Sequence, residues 1–82
     1  MMMTSELIEI ANKARDEIFR VLLEGERKGK TSFTDHPDPE WHIRRMIAHG
    51  ERFLAGDRTE DNLSHALTRA AMALELKASG ER

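Results

Sequence analysis

At 82 residues the chain has room for one domain only, because separate cores need roughly 100 residues each. Acids outnumber Lys and Arg by 15 to 13, a balance that argues against duplex nucleic acid as the main partner. Cysteine is absent, which excludes a disulfide framework and a thiolate metal site, and no apolar run approaches the ~20 residues of a membrane span.

The first helix is expected over residues 5–24. Thr4 or Ser5 can cap its free backbone N–H groups, and Glu6 and Glu9 suit the positive end of its dipole. Leu7, Ala11, Ala14, Ile18 and Leu22 recur at three- and four-residue steps, the mark of one buried stripe. Gly25 is the natural stop.

Residues 25–38, GERKGKTSFTDHPD, lose this periodicity and read as a long loop. Phe33 is its one large apolar residue, suited to pinning the loop to the helices. Lys28, Lys30, Thr31, Ser32 and Thr34 either serve a ligand or decorate a mobile solvated segment.

Asp38-Pro39-Glu40 opens the second helix, predicted over 39–55. It supplies an aspartate cap, a proline whose missing N–H costs nothing, and an acid in the first turn. Gly56 ends it. Asp57 or Thr59 opens the third, over 58–79, with Glu60 in the capping-box position relative to Asp57. Leu63, Ala66, Leu67, Ala70, Ala73 and Leu74 form its apolar stripe, and the short connection makes these two helices an antiparallel hairpin. The small residues Ala66, Ala70, Ala71 and Ala73 fit either helix propensity or a close helix–helix approach.

The expected fold is therefore all-α: three helices arranged antiparallel, ending in a helical hairpin and completed by oligomerisation. Oligomerisation enters because so short a chain buries only about 60–65% of its unfolded surface. MMM at the start lacks the basic region and apolar core of a signal peptide, so a soluble, cytoplasmic homo-oligomer away from membranes is expected.

His42, Arg45, His49 and Arg52 succeed one another at helical steps and share one face of the second helix, with Trp41 at its start. Arginine forks beside an aromatic plane suit a nucleobase with its phosphates; a row of solvated ion pairs is the plainer alternative. His42 and His49 lie about 10.5 Å apart along the axis, too far to share a metal unaided. On the third helix Asp61, His65 and Arg69 follow at four-residue steps, so Asp61 can orient the His65 imidazole as a phosphate donor or proton-transfer group.

The run from His42 to Leu76, with its histidine-bearing helix, Gly56-Asp57 turn and Glu60-Asp61-x-Leu63-x-His65-Ala66 opening, resembles the C-terminal half of small phage-type dATP/dGTP diphosphohydrolases, relatives of the MazG-like fold. The resemblance covers about half the chain and implies two carboxylate pairs, E-x-x-E and E-x-x-D, holding Mg²⁺. Glu6 and Glu9 match the first pair as metal ligands. The only counterpart of the second is Asp57-x-x-Glu60, which is reversed and already serves as a helix cap. One pair is a poor cage for Mg²⁺.

The leading expectation is a helical oligomer that binds a nucleotide-like anion without catalysis or a resident cofactor, through Trp41, His42, Arg45, His49, Arg52, His65 and Arg69. The resemblance makes sequestration of a host defence nucleotide one such role. The alternatives are a Mg²⁺-dependent (d)NTP diphosphohydrolase using Glu6 and Glu9, and a non-catalytic protein-binding adaptor.

Overall fold

A computed structural model describes residues 3–30 and 32–80 as three α-helices and one 3-10 turn. Thr31, one of the loop residues singled out above, lies outside the described residues. Helix α1 is Thr4–Arg27, the 3-10 turn Phe33–Asp35, α2 Pro39–Leu54 and α3 Asn62–Gly80. No strand occurs among the described residues, so the all-helical fold class holds.

Helix α2 begins as its sequence dictates. The Asp38 carboxylate accepts from the Glu40 backbone N–H at 3.0 Å, and Pro39 fills the first helical position. Gly56, at φ +88°, ends it: its N–H reaches Phe53 O at 3.0 Å, and the Asp57 N–H reaches Arg52 O at 3.0 Å. This pair of bonds closes a helix on one left-handed residue, a conformation that glycine adopts without steric cost.

The same device moves the end of α1. Gly25 does not stop the helix; Gly29, at φ +70°, does, with Gly29 N–H on Glu26 O and Lys30 N–H on Gly25 O, both at 3.0 Å. Gly25 is thus an ordinary helical glycine, tolerated at a modest entropic cost. At the other end Met3, not Thr4 or Ser5, is the capping residue, and no side chain caps the N-terminus.

Helix α3 starts four residues later than expected. The Asp57 carboxylate takes the Thr59 N–H at 2.9 Å and the Thr59 hydroxyl at 2.6 Å, which makes a local turn rather than a helix cap. Asp61 assumes the capping role instead, accepting from Ser64 N–H at 3.4 Å.

Contacts of Trp41 and His42 with Arg69, and of His49 with Asn62 and His65, run in opposite sequence order, so α2 and α3 form the expected antiparallel hairpin. The core of the hairpin is mostly polar. His42, Asn62, Ser64 and Thr68 are buried, and Ala73 is the one fully buried apolar side chain among the described residues. Each polar group has a partner: Thr68 donates to Ser64 O at 2.8 Å and His49 bonds Asn62 Oδ1 at 2.9 Å. Burial of such groups is tolerable only when they are satisfied in this way.

Helix α1 packs mainly on α3 and has no buried residue of its own. Polar contacts pin it: Arg20 meets Asp61 at 2.6 Å, and Ser64 donates to Glu17 at 2.9 Å. Glu17 also accepts from Lys13 at 2.9 Å and Arg20 at 3.0 Å. Hydrogen bonds from Lys13, Ser64 and Arg20, in that order, hold its carboxyl at about 2, well below the ordinary 4.5.

Two outcomes follow. Gly25→Ala should raise stability in urea denaturation by up to about 1 kcal/mol, while Gly29→Ala should lower it by about 1–2 kcal/mol. The Glu17 contribution is complete above its unfolded pKa of 4.5 and is lost as pH falls toward 2. Glu17→Gln should therefore lower the melting temperature at neutral pH and flatten its decline across the acid range, as read by circular dichroism.

Candidate functional site

A cavity of about 720 Å³ opens where the C-terminal half of α1, the following loop, the start of α2 and the middle of α3 converge. This size lies within the range of small-ligand sites. Four features define it: the indole of Trp41, the guanidinium groups of Arg45 and Arg69, the imidazoles of His36 and His65, and Lys28 with Lys30 from the loop.

His42 positions this wall. It is completely buried, and its Nε2–H points at two loop carbonyls, His36 O at 2.9 Å and Phe33 O at 3.2 Å. That leaves Nδ1 as an acceptor, and Arg69 Nη1 donates to it at 3.1 Å. One imidazole thus ties the loop to α2 and fixes an arginine on α3. Phe33 packs edge-on against the same ring, with centroids 6.4 Å apart.

Trp41 is the aromatic centre. His36 lies parallel to it at 3.7 Å with 3° between planes, and the guanidinium carbons of Arg45 and Arg69 sit 5.2 and 5.3 Å from its ring centroid. Cation–π attraction holds both arginines there. Among the described residues neither has a carboxylate within ion-pair distance. Burial, then the adjacent Arg45 charge, lowers the Arg69 pKa from its ordinary value. Arg69 is the half-buried member of the pair and Arg45 the exposed one, so the penalty falls on Arg69.

The row expected on α2 divides. Trp41, His42 and Arg45 reach the cavity wall, as do His65 and Arg69 from α3. His49 lies behind His65, their rings 5.2 Å apart and 22° from parallel, with its Nδ1 engaged by Asn62. Arg52 lies outside the wall, 3.8 Å from Glu60. The expected Asp61–His65 couple does not form: the Asp61 carboxylate is taken by Arg20 and by the α3 cap. Burial, then the nearby His49, lowers the His65 pKa, with Glu60 and Asp61 partly opposing.

Neither Glu6 nor Glu9 lines the cavity. Glu9 borders a separate, shallow recess between α1 and α3 with Glu17 and Asp61, whose carboxylates share the Arg20 guanidinium. Among the described residues no group of three or more His, Asp or Glu is placed to hold a metal ion. His36 and Glu17 carry no motif and are found only through the fold that brings Trp41 and Ser64 to them.

No family model matches the chain, and no curated protein or solved structure is significantly similar to it. The reading of the site rests on its geometry.

Removing His42 tests the wall. His42→Leu keeps the size roughly constant but strands two carbonyls and the Arg69 donor, an expected loss of about 1–3 kcal/mol in urea denaturation. Hydrogen exchange should rise selectively in residues 32–36 while α3 stays protected.

Proposed function

We propose that this protein binds a small nucleotide-like anion in the cavity and does not turn it over. One observation carries the reading: Arg45 and Arg69 share the Trp41 indole inside a cavity and lack a carboxylate partner. Guanidinium forks match phosphate oxygens in pairs, and the indole with its stacked imidazole offers the aromatic surface that a base prefers. Lys30 adds positive charge on the loop side, whereas Lys28 is paired with Glu24 at 3.4 Å and Glu26 also lines the cavity.

In this reading Arg45 and Arg69 take the phosphates, while Trp41 and His36 take the base. His36 already covers one indole face, so a base stacks on the imidazole or replaces it. His65 adds a donor from α3, His42 acts from behind by fixing Arg69, and His49 supports His65. Arg52 contributes at most long-range charge. The sequestering role that the phage-type resemblance suggests depends on this binding step. The diphosphohydrolase alternative draws less support, because Glu6 and Glu9 lie outside the cavity, Asp57 is engaged in a local turn and Glu60 is paired with Arg52.

Calorimetric titration with dATP and dGTP, with and without Mg²⁺, tests this. Arg45→Ala and Arg69→Ala should each weaken binding about tenfold or more, equivalent to about 1.4 kcal/mol, while Arg52→Ala changes it little. The nucleotide should be recovered intact. Affinity unaffected by both cavity variants, or turnover abolished by Glu9→Gln, would overturn the proposal.

A further inference from the structure

The folded chain exposes 6420 Å², whereas a compact monomer of 9.4 kDa exposes about 5000 Å². The surplus of roughly 1400 Å² falls within the ~1000–2500 Å² that each partner of an obligate homodimer covers. An apolar face on α1 and α3 accounts for part of this exposed surface. A shallow recess between α1 and α3 has a nearly wholly apolar floor made by Ile10 and Ala14 on one side and Leu63 and Leu67 on the other.

The apolar surface continues past the recess in both directions. Leu7 extends it toward the start of α1, and Leu74, 68% exposed, extends it two turns along α3 from Leu67. Ala71 lies between those two leucines, where a small side chain admits a neighbouring helix at close range. These residues recur at helical spacing on α1 and on α3, which is the pattern of a bundle seam rather than of scattered surface leucines.

We propose that this α1–α3 face pairs with the same face of a second copy of this chain, so that two α1–α3 pairs form a four-helix core. The fit of the missing burial to a homodimer interface selects a second copy as the occupant. A single copy has one fully buried apolar side chain among its described residues, far short of what an independent domain of this length needs. Two-fold pairing supplies that burial to both copies at once, with the same patch used twice. None of Leu7, Ile10, Ala14, Leu63, Leu67, Ala71 or Leu74 lines the candidate ligand cavity. Each copy therefore keeps its own open site, and the pairing stands independently of the ligand reading.

Sedimentation velocity of the full chain over a micromolar concentration range should give a dimer. Leu63→Glu and Leu74→Glu should each weaken self-association at least tenfold. Leu54→Glu, at a still more exposed leucine ending α2, should leave it unchanged. Hydrogen exchange of the unmodified chain gives a second readout that needs no variant to fold. Protection along residues 63–74 should increase with protein concentration, while that of 44–54 stays constant. A monomer throughout the range, or a dimer with neither the Glu variants nor residues 63–74 responding, would overturn the proposal.

Discussion

The buried imidazole of His42 is the contact on which the upper half of the molecule depends. A loop of this length has no reason to hold one shape, since its backbone groups would otherwise be satisfied by water. His42 offers one N–H to two of those carbonyls from a rigid helix, and its other nitrogen accepts from Arg69. The loop, α2 and α3 thereby become a single cooperative unit. The cavity exists because this unit holds His36, Trp41 and both arginines at fixed distances. Polar contacts of this kind specify geometry more than they add net stability, since each exchanges a bond to water for a bond to protein.

The same bias toward polar contacts runs through the rest of the fold. Helix α3 buries Asn62 and Thr68 together with Ser64, which faces α1, and α1 is held by Glu17, Arg20, Asp61 and Ser64. Such a design fixes register well, because an imidazole and an amide side chain find each other in only one alignment. It buries little apolar area, however, and area is the main driving force of folding. Yet Leu7, Ile8, Ile10, Leu22, Ile47, Leu54, Leu63 and Leu74 remain exposed at the surface of a single copy. The proposed pairing with a second copy would resolve the contrast between a specific polar interior and an uncovered apolar exterior.

Local chemistry was the legible part of the sequence. Asp38-Pro39 opened α2 as expected and Gly56 closed it, because cap and turn preferences act over three or four residues. The same local reasoning erred where two glycines competed. Gly25 and Gly29 both permit a helix end, and the stop falls where bonds from Gly29 and Lys30 can satisfy the last carbonyls. Asp57 and Asp61 competed likewise for one cap. The site was legible only in outline. A helical step of three or four residues places His42, Arg45, His49 and Arg52 on one side, but the side spans a buried seam, a cavity wall and a solvent edge. Which member falls in which zone depends on where α3 and the loop lie, and periodicity carries no information about that. His36 illustrates the limit: its stacking on Trp41 needs the loop to return, and the return is fixed by His42.

The cavity arginines place stability and binding in opposition. Arg45, exposed, and Arg69, half-buried, are gathered over one indole with no carboxylate at ion-pair distance from either among the described residues. The neighbouring Arg45 charge disfavours the Arg69 cation, and the His42 bond and the indole face hold Arg69 there nonetheless. A phosphate placed between the guanidinium groups would convert that repulsion into two attractions, with little rearrangement required. Positioned charge of this sort favours a ligand of compact negative charge over a neutral one of equal size. Elsewhere the same cations are paired: Arg20 with Glu17 and Asp61, Arg44 with Glu40, Arg52 with Glu60. The Arg44 and Arg52 pairs are exposed and contribute little individually, so their neutrality is an ordinary property of a solvated surface. Two guanidinium groups left without an ion pair on a concave, aromatic wall are a different matter, and they are the physical ground for proposing a ligand there.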